Sequence, residues 1–157
     1  MLNTPNGLWT IPMVNQDPYS SKPQTLALGC QQINLEKGDC HGSQTTIFSN
    51  DTIVGVLDSG TTLTYLQTSI ANEILDFVGA TYNTSLGSAL SPCSEMSNLQ
   101  DAYLVYYFSG VPIKVQISNI FYNLSPPLTI NGQAQCQFGI APSEDTFLFG
   151  DSFLRAA

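Results

Sequence analysis

Thr52-Ile53-Val54-Gly55-Val56-Leu57-Asp58-Ser59-Gly60-Thr61-Thr62 is the stretch that decides how this chain is read. The apolar run before Asp58 predicts a strand buried on both faces. A carboxylate at the end of such a strand loses hydration and needs hydrogen-bond donors in exchange. Ser59, Thr61, Thr62 and the backbone N–H groups of a tight turn at Gly60 supply them. A loop of this kind orients one carboxyl and shifts its pKa. Asp-Ser-Gly taken alone is ordinary turn chemistry, because Asp and Ser bond their own backbone and Gly accepts positive φ. The apolar run, the Thr pair and a second apolar-apolar-Gly element, Leu148-Phe149-Gly150-Asp151, raise it above that.

Outward from this stretch, composition narrows the classes. A chain of 157 residues fits one domain with a real core. Twelve acidic residues against four Lys and Arg give a net charge of −8. That balance argues against nucleic acid and anionic membrane partners. No apolar run reaches the length of a membrane span. The first residues, Met1-Leu2-Asn3-Thr4-Pro5, lack the basic and apolar regions of a secretory leader. Four cysteines and the sequons at Asn50, Asn83 and Asn123 nevertheless fit an oxidising, secreted setting. The chain is therefore read as a fragment whose leader lies outside it. Four cysteines allow three pairings, and proximity favours Cys30 with Cys40, closing a hairpin. A zinc site from Cys30, Cys40 and His41 fits no standard spacing.

Short β-prone runs dominate the rest. Strands are expected over 7–14, 25–28 with 30–35 around a bulge at Gly29, 44–49, 102–108, 111–117, 128–130, 136–141 and 147–149. Residues 15–23 are read as a surface loop, 36–39 as a hairpin turn and 80–97 as an exposed loop. A helix capped by Thr68 or Ser69 and ended by Gly79 is expected, with Ile70, Ile74, Leu75 and Val78 on one face. A second, short helix is expected to begin at Asp151. About ten strands without helix–strand alternation indicate an all-β domain with minor helix.

Val56-Leu57-Asp58-Ser59-Gly60-Thr61-Thr62, its echo Phe147-Leu148-Phe149-Gly150-Asp151-Ser152-Phe153-Leu154-Arg155 about 90 residues later, and Leu8-Trp9-Thr10-Ile11-Pro12-Met13 near the start carry a resemblance. Together they resemble the pepsin-like aspartic endopeptidases, in particular the C-terminal lobe of a fungal secreted member. The resemblance implies that residues 1–157 form a single lobe of the pepsin-like acid protease fold, truncated, with the N-terminal lobe and the final strands absent. It implies Asp58 as one catalytic carboxyl, its mate coming from the N-terminal lobe. Gly60, Thr61 and Thr62 are then expected at the substrate, with Ser59, Leu148, Phe149 and Gly150 as active-site support. The Thr61 hydroxyl is expected to bond across to the matching loop of the other lobe. A Cys93–Cys136 disulfide also follows from the resemblance, as do a peptide or protein substrate, no cofactor or metal, and a secreted or cell-surface location. The 157 residues alone are expected to be inactive.

Three other readings compete. A serine hydrolase would pair Ser59 with His41, but the Gly-x-Ser-x-Gly elbow is missing. A self-dimerising half-enzyme would use two copies of Asp58. A non-catalytic secreted β-module or pseudo-protease lobe would act by binding, against the intact Asp58, Gly60 and Thr61.

Overall fold

The computed structural model describes residues 26–39 and 42–157. The sequence-predicted strand at 7–14, the loop at 15–23, Cys40 and His41 lie outside them. The long strand β1 (Ala27–Asp39) is shared by three neighbours. Its first part pairs antiparallel with β3 (Ile53–Leu57), and its second part with β2 (Gly42–Ser49). Its other edge pairs with β7 (Ala102–Phe108), which pairs in turn with β8 (Val111–Gln116). On the far side of β3 lies the two-residue β12 (Leu148–Phe149), then β4 (Thr64–Gln67), then β11 (Ile140–Ser143). These eight strands make one sheet. A second sheet of four runs β5 (Thr81–Asn83), β6 (Ser88–Pro92), β10 (Gln133–Phe138), β9 (Phe121–Ile130). The fold is all-β with minor helix, as the spacing of short strands implies.

The core lies where β-branched and aromatic side chains from the large sheet meet helix α1 (Thr68–Phe77). Ile70, Ala71, Ile74 and Leu75 are its buried face, and the helix packs on β11. Its end matches expectation: Gly79 sits at φ +62°, where a Cβ would be strained. Its start does not, since Gln67 stands at the cap position and the Thr68 hydroxyl donates instead to Glu144 Oε1 at 2.7 Å. At the centre Tyr106, Phe108, Phe149 and Phe153 meet, four pairs edge to face and Phe149–Phe153 tilted, with centroids 5.1–6.1 Å apart. Such pairs contribute about 0.5–1.5 kcal/mol each beyond the area they bury. Phe149 and Phe153 come from the segment around Gly150, so the core and the Asp58 region share side chains.

Several expectations are corrected. Strand β3 is not buried on both faces: Val54 is 45% exposed, and Val56 and Leu57 are half-buried. Residues 36–39 are not a turn but continue β1, paired out to Asp39 with Gly42. The irregularities of β1 fall at Cys30/Gln32 and Ile33/Asn34 rather than at Gly29. Residues 80–97 contain β5, β6 and a short helix α2 (Glu95–Asn98), with Ala89, Leu90 and Ser91 buried. Strand β9 extends seven residues earlier than the expected 128–130.

The disulfides divide the same way. Cys93 and Cys136 are bridged, with Cα atoms 5.0 Å apart, tying the turn after β6 to the middle of β10. The pairing of Cys30 with Cys40 is overturned. Cys30 is a buried free thiol near the start of β1, and Asp39, the residue before Cys40, ends that same strand. Nine extended steps place these points about 30 Å apart, far beyond a disulfide's reach. Burial pushes the Cys30 thiol up to about 12, so it stays protonated.

The bridge closes a loop with a sequence separation of 43 residues. Chain-entropy arithmetic for that loop gives about 4 kcal/mol. Replacing Cys93 and Cys136 together by Ala is therefore expected to lower the unfolding free energy by about 4 kcal/mol in a urea titration. A loss under 1 kcal/mol would show that the sheet itself supplies the constraint.

Candidate active site

β12 is wedged between the outgoing and returning limbs of the Asp58 loop. It runs parallel to β3, Leu148 opposite Val56 and Phe149 opposite Leu57, and antiparallel to β4. Val56 N–H donates to the Phe147 carbonyl at 3.0 Å, and Asp58 N–H to the Phe149 carbonyl at 3.1 Å. Beyond Gly150, helix α3 (Asp151–Leu154) begins, and its first amides turn toward the loop. Asp151 N–H donates to the Thr61 carbonyl at 2.8 Å, and Ser152 N–H to the Thr62 carbonyl at 2.9 Å. Four backbone hydrogen bonds thus tie the loop to the segment expected to support it.

Gly150 permits this. Its φ of −80° suits any residue, so glycine is not required for conformation. It is required for space: a Cβ there would lie 2.1 Å from the Leu63 carbonyl oxygen and 2.6 Å from that of Thr61. Those are backbone atoms and cannot swing aside. Gly55 plays a lesser part, since a Cβ there would meet the Phe149 ring at 2.6 Å.

Behind the loop is a buried polar chain that sequence reading missed. The Ser152 hydroxyl donates to the Gly139 carbonyl at 2.7 Å. Its oxygen lies 2.7 Å from Thr64 Oγ1, so Thr64 is the donor of that pair. Both residues are 1% exposed. The sequence marks position 151 only as a helix start and carries no signal at Thr64. No local motif marks a pair 88 positions apart.

Asp58 itself is half-buried at the end of β3. Its Oδ1 accepts from Gly60 N–H at 2.9 Å, and its Oδ2 from the Thr61 hydroxyl at 2.5 Å. These donors, Thr61 first, hold its carboxyl below the usual aspartate value against a smaller opposing effect of desolvation. The Thr61 hydroxyl donates within its own loop, to the Asp58 carboxylate, and its oxygen is left as an acceptor. Ser59 and Thr62 are exposed, and neither side chain donates to Asp58. Asp58, Gly60, Thr61, Leu148, Phe149 and Gly150 are thus brought together as a single knot, with Ser59 and Thr62 on its surface. Elsewhere, Asn50 and Asn83 are exposed at the ends of strands, and Asn123 is exposed within β9.

A carboxyl hydrogen-bonded by its own loop, in an all-β fold crossed by an apolar-apolar-Gly segment, is the arrangement of a pepsin-like aspartic protease lobe. The family model for eukaryotic aspartyl protease matches residues 13–157, and the chain belongs to that family. It is 41% identical to the probable aspartic-type endopeptidase opsB of Aspergillus oryzae, over 92% of this chain and 32% of that protein. It is 32% identical to aspartic proteinase MKC7 of Saccharomyces cerevisiae, over 94% of this chain and 24% of that protein. Barrierpepsin of the same yeast is 30% identical, over 96% and 24%. The chain therefore spans about a quarter to a third of the length of these curated relatives. The crystal structure of an aspartic proteinase from Irpex lacteus superposes with a TM-score of 0.57 at 17% identity, over 92% of this chain and 40% of that one.

Two measurements check the knot. Gly150→Ala is expected to destabilise by roughly 3 kcal/mol or more in chemical denaturation, since the backbone must move to admit a methyl group. A loss under 1 kcal/mol would contradict the close approach. For the carboxyl, a native pKa below the unfolded value means that ionised Asp58 supports folding above the unfolded pKa. That support disappears as pH falls through the native pKa. Thr61→Val is expected to raise the Asp58 pKa in a side-chain carboxyl NMR titration and to weaken that acid-side dependence. An unmoved pKa would assign the shift elsewhere.

Proposed function

We propose that this chain is the C-terminal-type lobe of a secreted aspartic endopeptidase, in which Asp58 is one of two carboxyls that activate a water for peptide hydrolysis. The observation that carries this reading is the Asp58 carboxylate held by two donors of its own loop. A group fixed in this way needs no reorganisation when it takes a proton. The mate carboxyl belongs to an N-terminal lobe of the same parent protein, and residues 1–157 hold half of the active site.

The chemistry follows from two nearby carboxyls. They cannot both ionise easily, so they share one proton and titrate as a pair, a behaviour for which aspartic proteases are the standard example. The hydrogen bonds from Gly60 and Thr61 favour the charged form of Asp58, which makes it the natural base in acid. The ionised member takes a proton from the water, and the water attacks the peptide carbonyl. The protonated member donates to the carbonyl oxygen and later to the leaving nitrogen. Gly60 and Thr62, at the exposed surface of the loop, face an extended substrate backbone. The Thr61 oxygen, left as an acceptor, is the group that bonds across to the matching loop of the other lobe.

The location follows from the same reading. The Cys93–Cys136 bridge fits an oxidising compartment, and the sequons at Asn50, Asn83 and Asn123 fit passage through a glycosylating one. Among the described residues no helix is long and apolar enough to cross a membrane. On this reading the parent protein acts outside the cell or on its surface.

The test uses the parent protein. Its upstream coding sequence is expected to contain a secretory leader and a second Asp-Thr/Ser-Gly. The secreted enzyme should cleave an unstructured protein substrate in acid, and Asp58→Asn should lower kcat by at least about 10⁴-fold with folding intact. Unchanged hydrolysis in that variant would end the assignment. Turnover by the 157 residues alone would instead mean that two copies of Asp58 meet.

A further inference from the structure

Away from the Asp58 loop, the four-stranded sheet carries a groove of about 290 Å³. Tyr82 and Asn83 of β5, Leu90 and Pro92 of β6, Gln135 of β10 and Ile130 of β9 line it. It is a trough of mixed lining, in which the amides of Asn83 and Gln135 stand beside apolar side chains, and Ile130 is left 43% exposed. Gln135 Nε2 donates to the Gln133 carbonyl at 3.1 Å, which leaves its side-chain carbonyl oxygen as an acceptor. Asn83, in the same lining, opens the sequon Asn83-Thr84-Ser85, and residues 83–87 are an exposed hairpin turn. Asn83 Oδ1 accepts from Leu86 N–H at 3.0 Å. The carboxamide is thereby pinned by its oxygen, and Nδ2 is its unengaged end.

We propose that Asn83 carries an N-linked glycan and that its first sugar residues lie in this groove. The proposal rests on the secretory reading above. In the attachment step a Nδ2–C1 bond forms as the C1–O bond to a lipid-pyrophosphate donor breaks. The pyrophosphate leaves with the electron pair, and Nδ2 gives up one proton to the transferase. A sugar ring suits the trough: its C–H face covers Pro92 and Ile130, on the face of the sheet that also carries Asn83, while a hydroxyl donates to Gln135. Contacts of this kind are too weak to hold a free sugar. A covalent tether at the wall raises the effective concentration to the millimolar range and populates them. The other two sequons lack this arrangement. Asn50 stands on the exposed link between β2 and β3. Asn123 faces Cys136 in the β9–β10 ladder, its Oδ1 3.6 Å from Cys136 Sγ, so a sugar there would stand over the Cys93–Cys136 bridge.

The test uses the full-length protein secreted from a glycosylating eukaryotic host, read by glycopeptide mass mapping and by Tm. Four forms are compared: wild type, Ser85→Ala, Ile130→Ser and the double variant. Ser85→Ala abolishes the sequon while leaving the Asn83–Leu86 bond, and Ser85→Thr serves as the rescue. Asn83 is expected to be occupied in wild type, Ile130→Ser and Ser85→Thr. Ser85→Ala should lower Tm by roughly 2–4 °C. In the Ile130→Ser background the same change should shift Tm by less than about half as much, because the two sites are coupled. A bare Asn83 beside a glycan on Asn50 or Asn123 overturns the proposal and leaves the secretory reading standing. Three bare sequons on the secreted protein overturn the proposal likewise, whereas a full-length protein that never reaches the medium overturns the secretory reading. An occupied Asn83 whose loss has the same effect with and without Ile130 overturns the groove as the sugar's seat.

Discussion

The missing side chain at position 150 is the constraint from which the rest of this structure follows. Two backbone segments, the return limb of the Asp58 loop and the start of α3, pass closer than a methyl group allows. That approach lets Asp151 and Ser152 present their amides to Thr61 and Thr62. It also places Phe149 and Phe153 under the loop, where they join Tyr106 and Phe108 in the core. The loop is thus fixed by backbone hydrogen bonds whose geometry the core enforces, and a loop fixed in that way can hold a carboxyl still.

Two opposing effects act on that carboxyl. Burial would raise its pKa, and hydrogen bonds to the charged form lower it. At Asp58 the hydrogen bonds win, because the group is only half-buried and both oxygens have a donor close by. The contrast with Cys30 is instructive. That thiol is fully buried, its backbone partners are weak, and desolvation pushes it up to about 12. One residue is kept charged at the surface of the lobe and the other inert inside it. A carboxyl biased toward its charged form, with a neutral polar loop around it, suits a second carboxyl as neighbour. That is the electrostatic basis for reading the lobe as one side of a dyad.

Much of this was legible in the sequence because the features that matter are short and unusual in combination. Asp58-Ser59-Gly60-Thr61-Thr62 and Leu148-Phe149-Gly150 each carry their own signature, and the structure pairs them directly. What was not legible has physical causes. The apolar run of β3 looks buried on both faces, yet Val54 is exposed, because periodicity in five residues cannot say what covers a strand. Residues 80–97 look like loop by composition, yet Ser88 and Ser91 are buried there and the Ser91 hydroxyl donates to the Val78 carbonyl. Pro126 and Pro127 hid the middle of β9 in the same way, since an edge strand tolerates proline. Cys30 and Asp39, the residue before Cys40, are near in sequence but far apart along one extended strand. The Ser152–Thr64 pair joins elements that only the fold brings together.

Amide hydrogen exchange tests the central claim most directly. If the close approach at Gly150 locks the loop, the N–H groups of Asp151 and Ser152 exchange as slowly as those of the buried strand β7 between β1 and β8, and Asp58 N–H with them. Exchange of Asp151 and Ser152 at the rate of the exposed turn amides at 84–86 would contradict it, and the carboxyl of Asp58 would then have no rigid support.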